Sequence, residues 1–380
     1  MQTRLFFTML MTFCLLGAYS QPRGPYVTSP EVHPDHRVTF RFLAPSAKQV
    51  NLSAQFLQAP IPMTKDTQGV WSVTVGPIRP DIYPYSFHVD GITVNDPANP
   101  DLFPNERFKA SLVDVHADTN SYNIRNVPHG KIIYDYYPSI AGTTGTVVIY
   151  TPPGYDKETS KKYPVFYLIS GTTDTEETFY KVGKINWILD NLIAQGKAKP
   201  MIVVMPYGNI QGRIAQQKFT AMPPDPMGRE SEEALRRMNE FEQDLINNII
   251  PHVEKNYRVI ANKDNRAIGG FSRGGGQTLR VAFGNMDKFS WICCYAAYLP
   301  PQEMENRFSH IAGNAANTNK QLKLFWISVG DQDFLYKPTE EFMQYLKSKN
   351  VNFKSLITGG GHTWMNVRHY FVETAQLLFK

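Results

Sequence analysis

The sequence contains few cysteines and no long run of charge of one sign. Cys293 and Cys294 are two of only three cysteines in 380 residues, and a bond between adjacent cysteines would close a strained ring. We therefore predict that both are buried, small apolar side chains and that no disulfide framework holds the fold. The net charge is +5. No Lys/Arg run is long enough for a nucleic-acid-binding arm, so we expect no nucleic acid partner.

An apolar run long enough to span a bilayer is also missing near the start of the chain. After Arg4 comes the stretch "LFFTMLMTFCLLGAYSQ", whose apolar part is shorter than the roughly 20 residues of a membrane-spanning helix. Small residues three and one positions before Gln21 complete the layout of a signal peptide. We predict that residues 1–20 are removed, that the mature protein is secreted or periplasmic, and that it does not insert into a membrane. The alternatives are an uncleaved anchor and a lipoprotein that uses Cys14.

Short stretches of alternating apolar and polar residues dominate residues 25–118. In "RVTFRFLAP" every second residue from the valine to the second phenylalanine is apolar, and "YPYSFHVDGITVNDP" has the pattern of two strands joined at Asp90-Gly91, a hairpin signal. No part of this region has sustained helical periodicity. We predict a small immunoglobulin-like β-sandwich domain, followed by a linker at residues 118–131, where turn residues cluster.

Strands alternate with helices from about residue 132 onward. Stretches such as "YPVFYLIS" and "MIVVMPYG" have the continuous apolar character of strands buried in a parallel sheet. Helical periodicity follows in "NWILDNLIAQGK" and in "EFEQDLINNIIPHVEKNY", where we expect a kink at Pro251. The alternation predicts an α/β domain over residues 128–380, with a mainly parallel sheet covered by helices on both faces.

The stretch "GGFSRGGGQT" contains a G-x-S-x-G motif centred on Ser272. The motif is short, but it lies between a predicted strand that ends near Gly269 and a helix that begins within one or two residues. In a nucleophile elbow the strand and the helix approach closely around the serine, which requires glycine at the positions of Gly270 and Gly274. The context therefore indicates that Ser272 is a nucleophile on a strained turn.

A serine nucleophile needs a base that takes its proton and an acid that orients the base. In an architecture with the serine between a strand and a helix of a parallel sheet, the acid and then the histidine follow the serine along the chain. Of the later histidines, His362 in "TGGGHTW" follows a predicted strand, whereas His310 lies in a polar insert and His369 in the last helix. We select His362 as the base and interpret the other two as surface or packing residues.

For the acid, "SVGDQDFLY" offers Asp331 and Asp333 at a strand end, and spacing does not choose between them.

A tetrahedral oxyanion needs two backbone N–H donors. We expect one from Arg273, the residue after the serine, and the other from Thr172, beside Gly171, in the loop after the first buried strand. This chemistry requires neither a metal nor another cofactor, and the sequence contains no cluster of metal ligands, so we expect neither.

Five motifs occur in order along residues 128–380: "YTPPGYDKETSKKYPVFYLISG", "GKAKPMIVVMPYGN", "GGFSRGGGQTL", "VGDQDFLY" and "GGGHTWMNVRHYF". Together they resemble the esterase D-like branch of the α/β-hydrolases, and within it the feruloyl and acetylxylan esterases of carbohydrate esterase family one. The resemblance implies that Ser272 is the nucleophile and His362 the base. It also selects Asp333 as the acid, because this residue stands at the family's Gly-x-x-Asp position counted from Gly330.

The region before the catalytic domain, with "VDGITVNDPANP" and "VPHGKIIYDYYPS", resembles the E-set modules of the glycogen-binding type that precede such esterases. Such a module binds glycan through exposed aromatic residues or acts as a rigid lid. The catalytic region departs from the family at two positions. Ser170-Gly171 stands where the family has His-Gly, and Arg273 stands where it has Met. Both changes keep the backbone donors, but an arginine that projects charge toward the site would alter the preferred acyl group.

The resemblance implies a secreted serine carboxylic ester hydrolase acting on plant cell-wall polysaccharide. The expected substrate is a feruloylated or acetylated xylan or oligosaccharide, from which ferulate or a related hydroxycinnamate is released. An aromatic acyl group needs a flat apolar slot, and we expect contributions from Trp364, Tyr207, Phe179 and Tyr180, each of which has core packing as its alternative role.

Other functions are also compatible with the sequence. Within the hydrolases these are an acetylxylan esterase and a siderophore ester hydrolase, and an acyltransferase would use a sugar hydroxyl in place of water. Outside the enzymes, the protein would be a weakly catalytic, glycan-binding protein whose hydrolase fold has drifted.

Overall fold

A computed structural model describes residues 26–107, 109–221 and 232–380. The predicted signal peptide at residues 1–20, with Cys14, lies outside the described residues. Cys293 and Cys294 are free and buried, as predicted.

The chain divides into two compact units. The first extends to Leu102 and resumes at Ala110–His116, and the second comprises Phe103–Lys109 and Ala117–Lys380. The division near residue 117 lies close to the predicted linker. The assignment of residues 103–109 differs from the prediction. Their contacts group them with the second unit, although they fall inside the predicted sandwich range 25–118.

The first unit contains only β-structure within its described residues. Its strands are β1 (Glu31–Val32), β2 (Val38–Leu43), β3 (Val50–Ala54), β4 (Ile61–Pro62), β5 (Thr64–Lys65), β6 (Val70–Val75), β7 (Ile82–Val89), β8 (Ile92–Val94) and β9 (Ser111–Asp114). One sheet has the order β1-β2-β6-β5, and the other has the order β4-β3-β7-β8 with β9 also paired to β7. Asp90 and Gly91 form the predicted hairpin turn between β7 and β8, with φ angles of 48° and 89°.

Aromatic side chains fill the interior of this sandwich. Phe87 is fully buried, and Tyr85 lies edge-on to Phe40 with ring centroids 4.7 Å apart. The Tyr85 hydroxyl donates a hydrogen bond to Asp96 Oδ2 (2.7 Å). Trp71 is 8% exposed. Core packing therefore explains these aromatic residues, and their burial leaves them little surface for a glycan.

The second unit is built on one eight-stranded sheet. Its strands are β10 (Lys131–Pro138), β11 (Thr144–Thr151), β12 (Val165–Ile169), β13 (Ile202–Pro206), β14 (Arg266–Phe271), β15 (Trp291–Tyr295), β16 (Leu324–Gly330) and β17 (Lys354–Thr358). The order is β10-β11-β13-β12-β14-β15-β16-β17. Strand β11 runs antiparallel to its neighbours and the pairs from β13 to β17 are parallel, so the expected, mainly parallel sheet is confirmed.

The helices of this unit are α1 (Thr178–Lys181), α2 (Ile185–Ala194), α3 (Ile210–Gln217), α4 (Glu232–Asp244), α5 (Ile250–Asn256), α6 (Arg273–Gly284), α7 (Pro301–Arg307), α8 (Ser309–Gly313), α9 (Ala315–Gln321), α10 (Tyr336–Ser348) and α11 (Trp364–Ala375). Short 3₁₀ turns lie at Ile140–Gly142 and Lys263–Asn265, and a π-helical segment at Leu245–Ile249 joins α4 to α5. Among the described residues, no helix combines the length and the apolar character needed to cross a bilayer.

Both faces of the sheet are covered, because alternate residues of a strand point to opposite sides. On β12, Tyr167 belongs to the core cluster that includes Phe241 of α4 and Leu279 of α6. Its neighbour Phe166 stacks instead on Phe371 of α11, with ring centroids 6.4 Å apart. The continuous apolar character of the strand therefore follows from burial on two sides.

Two details differ from the sequence-based expectation. The irregularity predicted at Pro251 lies before it: a π-helical segment at Leu245–Ile249 interrupts the regular α-helix, and Pro251 follows as the second residue of α5. The predicted linker is also bound to helix α2 by hydrogen bonds. The Asn191 side chain of α2 donates hydrogen bonds to the carbonyl oxygens of Ser121 (3.0 Å) and Asn123 (2.9 Å).

A buried carboxylate ties α4 to the edge of the sheet. Asp244 is fully buried and accepts hydrogen bonds from the hydroxyls of Tyr137 and Ser139, both at 2.7 Å. Arg213 forms a buried ion pair with it at 3.1 Å, and Asn248 donates a further bond at 2.8 Å. The charge of Asp244 is therefore compensated by one guanidinium and by hydrogen bonds from two hydroxyls and one amide.

We expect Asp244→Asn to lower the free energy of unfolding by about 3 kcal/mol or more, because it leaves the buried Arg213 guanidinium without a counter-charge. Urea denaturation measures the change. Glu233→Gln, at the start of the same helix, is the control, because Glu233 pairs with Arg236 and Arg237 at an exposed position and should contribute far less. Equal losses in the two variants would contradict the assignment.

Candidate active site

Ser272 occupies a strained position at the carboxyl end of β14. Its φ of 55° and ψ of −117° lie outside the regions that residues with a side chain ordinarily adopt, and α6 begins at the next residue. The Ser272 N–H donates to the Tyr295 carbonyl oxygen at 2.9 Å, and Gly276 N–H donates to the Ser272 carbonyl oxygen at 3.0 Å. Both backbone groups are thereby held, so the turn is rigid.

The two glycines of the motif are required by close approach of backbone segments. A Cβ on Gly270 would lie 2.5 Å from the carbonyl carbon and oxygen of Gly274, and a Cβ on Gly274 would lie 2.1 Å from the Ile169 carbonyl oxygen of β12. Backbone atoms cannot give way as a flexible side chain can. The G-x-S-x-G spacing thus allows helix α6 to start directly against β12 and β14.

Gly274→Ala should destabilise the protein by about 2 kcal/mol or more, because the new methyl group must displace the β12 backbone. Gly313→Ala, at the last residue of helix α8, provides the control. A Cβ at this position would meet no atom within 4 Å outside its own helix and chain neighbours, and replacing a helical glycine by alanine is ordinarily neutral or stabilising. Thermal unfolding of the two variants tests the difference, and similar midpoints would refute it.

His362 and Asp333 are brought together at the carboxyl edge of the sheet. His362 Nδ1 lies 2.7 Å from Asp333 Oδ2, and Asp333 Oδ1 accepts the Leu335 N–H at 2.8 Å. The Asp333 side chain is 1% exposed. An ionised Asp333 holds the proton of His362 on Nδ1, which leaves Nε2 as an acceptor. The His362 ring stacks on Phe271, the residue before Ser272, with centroids 4.5 Å apart.

The other candidates for base and acid have separate environments. His310 Nε2 lies 2.9 Å from the Phe283 carbonyl oxygen, and His369 is exposed and 3.9 Å from Glu373. Asp331 accepts the Gly360 N–H at 3.0 Å and so fixes the loop that leads to His362. Of the two carboxylates that spacing left open, only Asp333 contacts the imidazole.

The two expected oxyanion donors lie at the ends of different elements. Arg273 is the first residue of α6, where an N–H has no acceptor within the helix. Thr172 is exposed in the loop after β12. The Arg273 guanidinium donates to the Gly171 carbonyl oxygen at 3.1 Å rather than projecting freely toward a substrate. Ser170, which replaces the family's histidine, is buried, and its hydroxyl has no hydrogen-bond partner among the described residues.

Sequence reasoning missed Asn105 and Glu106, which belong to the second unit. Glu106 N–H donates to the Thr173 carbonyl oxygen (2.8 Å), and Asn105 Nδ2 donates to Asp174 Oδ1 (3.0 Å). The Glu106 carboxylate accepts the Tyr207 hydroxyl at 2.6 Å. No motif marks either residue, and both fall inside the predicted sandwich, so the sequence carried no signal for this role.

The expected aromatic slot is revised. Phe179 is fully buried and lies edge-on to Trp364, with centroids 4.9 Å apart, so the expectation that it contacts substrate is wrong. Trp364 is 8% exposed and Tyr207 4% exposed, which leaves each with little surface for a ligand. Tyr180 is half-buried. Phe334, which was not predicted, is 70% exposed with its ring 4.6 Å from the His362 ring.

Asp174 is a buried carboxyl group at the end of the loop that carries Thr172. Burial raises its pKa from 3.8 to about 7, although the hydrogen bond from Asn105 and the charge of Arg273 oppose the shift. The side chain of Trp364 also opposes the upward shift of this pKa. Near neutral pH this group therefore changes charge next to the loop.

The raised pKa of Asp174 predicts a pH dependence of stability. Between about pH 4 and pH 7 the folded state holds a proton that the unfolded state has lost, so this group's contribution to the free energy of unfolding falls as pH rises. Asp174→Asn removes the contribution, because the amide stays neutral. Relative to the wild type, the variant should gain about 1 kcal/mol or more on going from pH 5 to pH 8.

Urea denaturation at both pH values measures this gain. Asp287→Asn, at an exposed position, should follow the wild-type pH profile. A constant difference between Asp174→Asn and the wild type at pH 5 and pH 8 would contradict the prediction.

Two family models match the chain. The model of the Esterase family matches residues 139–372, and the model of Carbohydrate-binding module 48 (Isoamylase N-terminal domain) matches residues 27–101. These matches confirm the expected arrangement of a β-sandwich module followed by an esterase domain of the α/β-hydrolase type.

An endo-1,4-beta-xylanase/feruloyl esterase of Xylanibacter ruminicola is 30% identical over 374 residues, a match that covers 95% of this chain and 47% of the relative. The chain thus spans about half of that relative's length.

Two solved structures share the fold. One is a ferulic acid esterase from Anaeromyces mucronatus in complex with ferulic acid (TM-score 0.57, 21% identity, 70% of this chain and 96% of that one). The other is the enterobactin esterase of Shigella flexneri (TM-score 0.60, 14% identity, 90% of this chain and 94% of that one).

Proposed function

Because the chain belongs to the Esterase family, we propose that it is a serine carboxylic ester hydrolase with Ser272 as nucleophile, His362 as base and Asp333 as the acid that orients it. One observation carries the proposal. The strained Ser272 adjoins Phe271, on whose ring the imidazole of His362 stacks, while Asp333 Oδ2 lies 2.7 Å from the Nδ1 atom of that imidazole. These contacts support the proposal, because acyl transfer through a serine needs a nucleophile beside an imidazole that a carboxylate orients.

The reaction takes two steps. His362 Nε2 accepts the Ser272 hydroxyl proton as the oxygen attacks the ester carbonyl, and the Arg273 and Thr172 N–H groups stabilise the oxyanion. Collapse of the tetrahedral intermediate expels the alkoxide, which takes the proton from His362 and leaves as the alcohol. Water then attacks the acyl-enzyme with the same proton transfers, which releases the acid and restores Ser272.

For the substrate, we propose a feruloylated plant cell-wall polysaccharide such as arabinoxylan, met outside the cytoplasm. The name of the Xylanibacter ruminicola relative, which includes both xylanase and feruloyl esterase, supports this assignment. The exposed ring of Phe334 beside His362 supplies an aromatic face for a hydroxycinnamoyl group. Phe179 has no such surface.

A siderophore ester hydrolase is the second candidate, since the likeness to the enterobactin esterase fold extends over 90% of this chain. An acetylxylan esterase is the third. A purely glycan-binding role is disfavoured by the tight contact between His362 and Asp333, which such a role does not need.

The test compares the full chain with Ser272→Ala on methyl ferulate, an acetylated xylo-oligosaccharide and the cyclic triester of dihydroxybenzoylserine. We expect ferulate release, and a fall of at least about 10³-fold in kcat for the variant, because no other group can form the acyl-enzyme. Ser348→Ala, at an exposed serine that bonds the Tyr345 carbonyl oxygen, should keep full activity. Release of products by liquid chromatography provides the measurement.

The remaining outcomes separate the alternatives. Cleavage of the acetyl or triester substrate with no ferulate release would move the assignment to that ester. No cleavage above the Ser272→Ala background on any of the three would overturn the esterase proposal.

A further inference from the structure

The Arg273 side chain lies between two loops at the carboxyl edge of the sheet. Its Nη2 atom donates to the Gly171 carbonyl oxygen at 3.1 Å. The same atom lies 3.6 Å from the position that a Cβ on Gly208 would take, in the loop after β13. The guanidinium is thus packed against the backbone of both loops.

The loop that Arg273 contacts is poorly held by its own backbone. Residues 171–174 form a turn whose closing bond, from Asp174 N–H to the Gly171 carbonyl oxygen, is long at 3.3 Å. Thr173 in this turn has a φ of 63°, a left-handed conformation that costs a residue with a side chain about 1 kcal/mol. Contacts from outside the turn must therefore keep it in place.

Outside contacts reach the two halves of the turn separately. Asn105 and Glu106 hold its second half, through Asp174 Oδ1 and the Thr173 carbonyl oxygen. In the first half, the Gly171 carbonyl oxygen accepts the Arg273 guanidinium.

The bond at Gly171 determines where the Thr172 N–H points. The Gly171–Thr172 peptide bond is trans, and in a planar trans peptide the C=O and the following N–H point in opposite directions. Holding the Gly171 carbonyl toward Arg273 therefore turns the Thr172 N–H away from the guanidinium. A flip of this peptide would exchange the two groups and present a carbonyl where the donor should be.

We propose that Arg273 is a positioning residue for the oxyanion site: its guanidinium fixes the Gly171–Thr172 peptide, so that the Thr172 N–H is aligned with the N–H of Arg273 itself. The inference rests on the proposed serine esterase mechanism. One residue then supplies one donor through its backbone and orients the other through its side chain. The arginine side chain supports this peptide through a hydrogen bond that the family's usual methionine cannot donate.

The experiment compares wild type, Arg273→Met and Arg273→Lys on 4-nitrophenyl acetate, a small ester that makes little demand on an acyl slot. We expect kcat to fall about 10-fold to 100-fold in Arg273→Met with KM within about threefold, since misalignment of one donor raises the barrier without loss of substrate binding. The affinity for phenylboronic acid, whose tetrahedral adduct with Ser272 places an oxygen in the oxyanion site, should weaken by a similar factor. Arg273→Lys should recover part of the loss.

Arg258→Met is the matched control, because the Arg258 guanidinium also donates to backbone carbonyl oxygens, those of Tyr155 and Lys161, in another part of the unit. It should leave kcat and boronate affinity unchanged. A purely structural role of Arg273 would lower the unfolding temperature while kcat per folded molecule and boronate affinity stayed at the wild-type values.

The failures of the two proposals are distinguishable. If Arg273→Met hydrolyses the ester within twofold of the wild-type kcat, the positioning role is overturned and the esterase mechanism stands. If the wild type itself is no faster than Ser272→Ala, the mechanism fails, and with it the basis for this inference. Should Arg273→Met fail to fold, Arg273→Ala, which also lacks a side-chain donor, with the boronate titration gives the same decision.

Discussion

Helix α6 begins in contact with the backbone of β12, with no space between Gly274 and the Ile169 carbonyl oxygen for even a methyl group. That contact forces the chain to reverse within one residue after β14, and Ser272 takes the strained conformation that results. It also brings the free N–H groups at the start of α6 close to the loop after β12. The position of the proposed nucleophile and of both proposed oxyanion donors thus depends on one steric constraint.

Charge is concentrated around the same point at low exposure. Asp174, Arg273 and Glu106 surround the loop that carries Thr172, and each is bound by polar neighbours that offset part of its desolvation. Asp174 is the least compensated, because burial outweighs the bond from Asn105 and the field of Arg273. The loop therefore has a group beside it whose charge depends on pH, while Asn105, Glu106 and Arg273 hold it from outside.

Patterns in the sequence predicted the parallel sheet, the hairpin at Asp90-Gly91 and the strand–serine–helix context of Ser272, because burial on two faces and close backbone approach constrain residue type locally. Choosing Asp333 over Asp331 required a family resemblance, since both carboxylates follow the same strand. Contacts between residues distant along the chain left no such pattern. The binding of Glu106 to Tyr207 and the complete burial of Phe179 depend on how loops fold back, which no local periodicity records.

Residues 103–109 belong structurally to the esterase unit but precede β9 of the sandwich in the chain. A recombination event at the stretch 117–130 would therefore separate Thr173 and Asp174 from their partners Asn105 and Glu106. For this chain, a catalytic unit transferred without residues 103–109 would therefore lack the contacts that hold the second half of the Thr172 loop.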